Sequence, residues 1–542
     1  MKKIGNTGSF KKFYLNDQIY VDKTEYIYNL INNEARVFIS RPRRFGKSLT
    51  LDTIATLFET GVEPYFKGTW IYDKWTEPTY PVFRLSFLNL DNSSMDLFKK
   101  QLNSKITEFA NKISVKGYVE KTEPEDSILS LLEKLEEETR QIVILIDEYD
   151  YQLTSNINND ELYKQFQQKI KRIYANIKDK FAIKFLGITG VTRLKDVSIF
   201  SVGSDIRDIT NSSAYSQMIG FTRDEIKKFY IDYLKLAASY ENNCNVDEVT
   251  DTQIESLLDR LAQNYDGYCF DEDYEKKVFS TWSVNTFLQS VVDKKKVQFG
   301  EYWYDNGGLP SILVNYLKTH ELNIFEYLDK DKFLKVSSDD FKNPTALTTI
   351  NQNVLMCQTG YLTLRSDLNK TSTVALGIPN GEIYKVLNRL LANNIFKGNT
   401  DITDDYGRSL LEVGTVDDII NLFNSALNSV SYDNYPIVSE SSAQNMLKLY
   451  LLGAHQEVLS EVHEAKGRAD LVVNTDNRRI VFEFKYAKNE AEAKSKLSEA
   501  VEQIKTRDYG NILPKKNELI RIAAVFNADP KVRAFTENQI VP

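Results

Sequence analysis

Two groups of residues in this 542-residue chain have types and spacings suited to phosphate chemistry. The first is the run ArgProArgArgPheGlyLysSer at residues 41–48. It follows an apolar stretch, residues 35–40, that reads as a buried strand. It leads into residues 49–60, where Leu51, Ile54, Leu57 and Phe58 recur at helical spacing. A tight loop between strand and helix turns backbone amides and a helix N-terminus toward phosphates. In that setting Arg43, Arg44, Phe45 and Gly46 form a cradle, Lys47 reaches the β- and γ-phosphates of ATP or GTP, and Ser48 is a magnesium ligand. Arg41 stands where such loops usually begin with glycine, so the loop is unusually cationic. Residues 142–146 are five branched apolar residues that end in Asp147 and Glu148, the pattern of a buried parallel strand with an acidic tip. Asp147 is expected to hold the magnesium through water and Glu148 to polarise the attacking water, with Asp150 the next candidate for that role. A further strand, residues 181–190, brings Thr189 or Thr192 within reach of the γ-phosphate, and Arg193 could supply transition-state charge.

The second group lies near the C-terminus. Residues 467–473 and 479–485 read as two apolar strands joined by a turn at 474–478. Side chains alternate along a strand, so Glu483 and Lys485 share one face while Phe484 enters the core, and Asp470 lies on the partner strand. Charged groups inside buried strands are costly unless used or paired. Asp470, Glu483 and the Phe484 carbonyl are therefore expected to hold magnesium, with manganese an alternative, and Lys485 to orient a water and neutralise developing charge. Glu461 and Glu464 are both candidates for an additional ligand.

Composition limits the alternatives. A chain this long needs several cores. Hydrophobic residues make up 42% and charged residues 27%, with 12 prolines, which is globular composition. The three cysteines, Cys244, Cys269 and Cys357, and the three histidines, His320, His455 and His463, are too few and scattered for a Cys- or His-based metal centre. Any catalytic metal must then sit on oxygen ligands. No apolar run is long enough to span a membrane and the opening residues are not a secretory signal, so the expected location is cytoplasmic. The net charge is −8, yet residues 441–542 carry 16 Lys and Arg against 14 Asp and Glu, a local +2. If one region meets nucleic acid, it is this one.

The ordered set of residues 20–24 (TyrValAspLysThr), 41–48, 147–150 (AspGluTyrAsp) and 264–268 (AsnTyrAspGlyTyr) resembles the family of AAA-ATPase-like proteins that pair this domain with a PD-(D/E)XK nuclease-like C-terminus. The resemblance implies that Arg41 in place of glycine is normal, and that a polar residue such as Gln503, near the end of the helix at 490–505, accompanies the nuclease-like site. The expected fold is α/β and multidomain. It comprises an AAA-like P-loop ATPase core (1–215), a helical lid (216–300) opening with a capping box at Thr222–Glu225, a winged-helix-like or bridging region (301–395) and a restriction-endonuclease-like α/β domain (396–542). The 264–268 stretch is read as a packed turn. The function expected is ATP binding and hydrolysis with a metal-dependent, ATP-regulated nuclease acting on nucleic acid, DNA in preference to RNA. The alternative is a nucleotide-dependent switch or interaction protein with an inactive nuclease-like domain.

Overall fold

Ile142 to Ile146 are all at most 3% exposed, and strands covered on both faces in this way belong to parallel sheets sandwiched by helices. The computed structural model has such a sheet. It describes the chain except residues 195–204, 304–310, 318–319, 321–323, 345, 371, 397–408, 455–456, 465–466 and 512–514, and at 311, 317, 324, 457, 460, 461, 463 and 464 it describes the backbone alone. The protein divides into two units, residues 1–322 with 331–383, and residues 323–330 with 384–542.

In the first unit, β1 (Arg36–Ser40), β2 (Val82–Ser86), β3 (Ile142–Asp147), β4 (Ile183–Gly190) and β5 (Arg207–Asp208) form one sheet in the order β2-β3-β4-β1-β5. All pairings are parallel. Helix α1 (Lys47–Thr60) follows β1 and packs Phe58 on Phe185 of β4. Because β4 separates β1 from β3, the loop after β1 and the acidic tip of β3 open at the same sheet edge, where parallel strands end. Four further helices, α2 (Arg223–Phe229), α3 (Ile231–Asn242), α4 (Asp251–Tyr265) and α5 (Thr281–Lys294), follow β5. The capping box at Thr222 and Glu225 is present. The helix that this box opens ends at Phe229, and Tyr230 closes α2 and opens α3. Ile226, Tyr230, Leu234, Leu257, Leu261 and Phe287 join in one core that gathers these helices.

Residues 334–377 form a small antiparallel sheet of β6 (Leu334–Ser337), β7 (Thr363–Leu364) and β8 (Thr373–Gly377), with β8 in the middle. Helix α6 (Gln352–Thr359) precedes β7, and α7 (Gly381–Ile395) follows β8. From α6 to α7 the chain thus runs helix, strand, strand, helix, with β6 pairing on the far side of β8.

The second unit holds α8 (Val416–Asn428), α9 (Glu440–Gly453), β9 (Glu457–Glu464), β10 (Gly467–Asn474), β11 (Arg478–Ala487), α10 (Glu490–Arg507), β12 (Glu518–Asn527) and β13 (Ala534–Ile540). The five strands lie side by side in chain order. Only the β11–β12 pair is parallel, as its helical crossover through α10 requires. Alternation along β11 sends Phe482 and Phe484 to one face, where they meet Phe423 and Phe535, and Val481 to the other, against Ala500 and Ile504 of α10.

Candidate functional sites

The loop after β1 turns through left-handed backbone at Arg44 (φ 67°) and Gly46 (φ 104°), the latter a conformation that glycine adopts without strain. Its anchor is Phe45. This ring is 1% exposed and meets Tyr268, Phe270 and Trp303 edge-on at 4.7, 5.4 and 5.9 Å between centroids. Phe45 is thus a structural plug whose side chain fills an aromatic socket. The 264–268 stretch is that socket's wall, a packed turn in which a Cβ on Gly267 (φ 91°) would come within 2.2 Å of the Pro379 carbonyl oxygen.

Lys47 Nζ donates to the carbonyls of Arg41 (2.8 Å) and Pro42 (2.9 Å), and burial pulls its ammonium down to about 8. Ser48 Oγ donates to Asp147 Oδ2 at 2.5 Å, while Thr189 Oγ1 donates to Asp147 Oδ1 at 2.5 Å. The loop helix, β3 and β4 therefore converge on one carboxylate. Glu148 sits in left-handed backbone (φ 52°), rare for a non-glycine residue, and burial followed by the Asp147 charge raises its carboxyl above the ordinary value. A cavity of about 500 Å³ opens beside Arg43 to Ser48 and Glu148, walled by Asn6 to Gly8 on one side and by Phe221, Tyr230 and Trp282 on another. It combines amides and cations for phosphates with apolar and aromatic walls for a base.

Four expectations need correction here. Arg41 does not add charge to the cradle: its guanidinium is 1% exposed, donates to the Ser40 and Thr210 carbonyls and lies 4.2 Å over the Phe270 ring. Arg193 is not at this cavity. It pairs with Asp208 and lines a different, smaller cavity. Thr192 donates to Asp150 through backbone N–H and hydroxyl, so Thr189 rather than Thr192 reaches the acidic tip. Asp150, 2% exposed and also accepting from Val191 N, ties β3 to the segment after β4 and is fully occupied as a clamp. Arg44 faces the cavity but is partly engaged, with its guanidinium 4.6 Å from the Trp282 ring and Nη1 donating to the Tyr302 carbonyl.

In the second unit Asp470, Glu483 and Lys485 come together. Asp470 Oδ2 accepts from the Phe484 backbone N–H at 2.8 Å, which holds the carboxylate against β11. Lys485 Nζ donates to Glu483 Oε1 at 2.8 Å and to the Phe484 carbonyl at 3.0 Å. That carbonyl, expected as a metal ligand, accepts from the lysine and keeps a second lone pair. Glu483 is 0% exposed, and its Oε2 is buried with no hydrogen-bond partner. Burial and then the Asp470 charge push its carboxyl up to about 7. Burial works against the Lys485 charge, yet the Glu483 hydrogen bond, with the charges of Glu483, Glu440 and Asp470, holds it above its usual value.

The side chains of Glu461 and Glu464, on β9, lie outside the described residues. Gln503 hydrogen-bonds to the Tyr509 hydroxyl (3.4 Å), not to either carboxylate; Arg507 Nη1 reaches the same hydroxyl at 2.9 Å. The sequence reading missed α9. Glu440, in its first turn, lies 3.4 Å from Lys485 Nζ, and Gln444, one turn on, donates to the Asp470 carbonyl at 2.5 Å. A Ser439–Glu440 pair opening a helix was the available signal, since Ser439 caps α9.

Among the described residues no three His, Cys, Asp or Glu side chains form a metal-binding group. A cation in the second unit would have two protein carboxylates, Asp470 and Glu483, with the Phe484 carbonyl or water completing its shell. The orphaned Glu483 Oε2 and the all-oxygen donor set fit magnesium or manganese. At the first site Ser48 and Asp147 fit magnesium equally.

Sheet order, loop and acidic tip mark the N-terminal part of the first unit as an AAA-ATPase-like domain, and the five-stranded sheet with its Asp–Glu–Lys group places the second with the nuclease-like α/β domains. Residues 4–200 match the family model described as predicted AAA-ATPase, and residues 438–536 match that of the PD-(D/E)XK nuclease superfamily. The chain is similar over 530 residues, at 26% identity, to the uncharacterized protein in the vnfD 5′ region of Azotobacter chroococcum mcd 1, covering 95% of this chain and 94% of that one. Among solved structures it aligns with a Walker-type ATPase of Pyrococcus abyssi (12% identity, TM-score 0.37, 67% of this chain and 94% of that one). It also aligns with Cdc6p from Pyrobaculum aerophilum (11% identity, TM-score 0.24, 72% and 99%). No helix among the described residues is long and apolar enough to cross a membrane.

Proposed function

We propose that the first unit binds and hydrolyses ATP with magnesium, that the second cuts nucleic acid, DNA in preference to RNA, with a divalent metal, and that nucleotide state regulates the cut. The observation that carries the nuclease reading is the unpaired, fully buried Glu483 Oε2 beside Asp470 and Lys485. A buried carboxylate oxygen without a partner is costly, and a cation between two carboxylates removes that cost. When bound, such a cation supplies an acidified water and neutralises charge on the scissile phosphate. Asp470 and Glu483 would hold it, and the Phe484 N–H fixes the angle of Asp470. Lys485 would leave Glu483 for the water or a phosphate oxygen. In the first unit Lys47 would exchange its two carbonyl partners for β- and γ-phosphate oxygens, and Glu148 would orient the attacking water.

Asp470→Ala should abolish metal-dependent cleavage, whereas Lys485→Ala should keep metal binding and slow cleavage by about 10²–10³. ATP hydrolysis should survive both changes. Cleavage at the wild-type rate in Asp470→Ala would remove the second site from the reaction.

A further inference from the structure

The loop after β1 borders a second cavity, about 40 Å³, whose lining includes Ser40, Arg41, Arg193, Thr210, Cys269 and Gln358 and shares no residue with the nucleotide cavity. Arg41 is 1% exposed, and after its Nη1 has donated to two carbonyls, its Nε and Nη2 have no partner. Those nitrogens carry three N–H groups. The Asp208 carboxylate acts on Arg41 through its charge, and Arg193 pairs with the same acid. A buried cation without compensation is expensive, and burial accordingly depresses the Arg41 guanidinium to about 9. At roughly 10–15 Å³ per water the cavity has room for a few waters or for one monatomic ion. Water would satisfy the N–H groups but leave the charge.

We propose that this cavity holds a small monovalent anion of halide size on the Arg41 guanidinium. The ion steadies the root of the phosphate loop. The Arg41 backbone N–H donates to the Gly190 carbonyl at 3.2 Å, and its own carbonyl receives Lys47 Nζ, so Arg41 links β4 to the lysine that meets nucleotide. This site is independent of the nuclease reading and of whether ATP is hydrolysed.

The test uses the full-length protein without nucleotide. In crystals grown with millimolar bromide as the only halide, an anomalous peak is expected within hydrogen-bond distance of Arg41 Nε or Nη2. In solution, replacing gluconate by chloride or bromide at constant ionic strength should raise Tm in a saturable manner, and Arg41→Met should abolish that rise. If Arg41→Met does not fold, the wild-type bromide peak decides alone. Water density without anomalous signal at Arg41, or an equal halide-dependent rise in folded Arg41→Met, would overturn the proposal.

Discussion

Lys47 and Glu483 are both buried ionisable groups displaced in the direction that disfavours their charge, and each displacement has a consequence at the bench. Burial holds Lys47 at about 8 in the nucleotide-free protein, below its unfolded value. Its contribution to stability is therefore greatest at alkaline pH and is lost as pH falls through about 8. Phosphates favour the protonated amine, so ATP affinity should fall as pH rises through about 8, and binding near that pH should take up a proton. Calorimetry in buffers of different ionisation enthalpy measures this, and Lys47→Ala should lose both the affinity and the uptake. Glu483 is the opposite case. Its carboxyl is raised from 4.5 to about 7, so the stability tied to its protonated form is present at low pH and lost as pH rises through about 7. Magnesium or manganese requires the carboxylate, so the metal-induced rise in Tm should be larger at pH 8 than at pH 6. Glu483→Gln should flatten that difference, and an unchanged pH dependence would detach the metal from this residue.

At the scale of elements, the sequence carried the strands and helices around both sites, because each reads locally. Branched apolar runs gave β1, β3, β4, β10 and β11, and alternation placed Glu483 and Lys485 on one face. What escaped was long-range. Arg41 and Phe45 stand beside Lys47, and only the folded packing of Phe270, Tyr268 and Trp303 reveals that both side chains turn into the interior. Arg193 follows β4 as expected, yet Asp208, from the following strand, claims it. Ser439 signals the start of α9, but its Glu440 and Gln444 gain meaning only through their distances to Lys485 and Asp470. The anchoring role of Phe45 has a direct test. Phe45→Ala empties an aromatic socket and should cost about 3–5 kcal/mol of stability by denaturant unfolding. At temperatures where the variant remains folded, ATP affinity should also fall, because the loop that carries Lys47 loses its anchor. Unchanged stability would mean that the socket collapses around the smaller side chain.

Across the whole molecule the two proposed sites fall in separate units: Lys47, Ser48, Asp147 and Glu148 in the first, Asp470, Glu483 and Lys485 in the second. Each group is built on the ends or faces of its own sheet, so either chemistry can be removed without dismantling the other fold. The claim that joins them is that nucleotide bound in the first unit governs cleavage in the second. The most direct measurement is the rate of magnesium- or manganese-dependent DNA cleavage by the full chain with and without ATP, in the wild type beside Lys47→Ala and Glu483→Ala. The account predicts that ATP changes the wild-type rate, that Lys47→Ala cuts at one rate whatever the nucleotide, and that Glu483→Ala does not cut. Cleavage by Glu483→Ala at the wild-type rate, or a wild-type rate indifferent to ATP under conditions where ATP is bound, would contradict it.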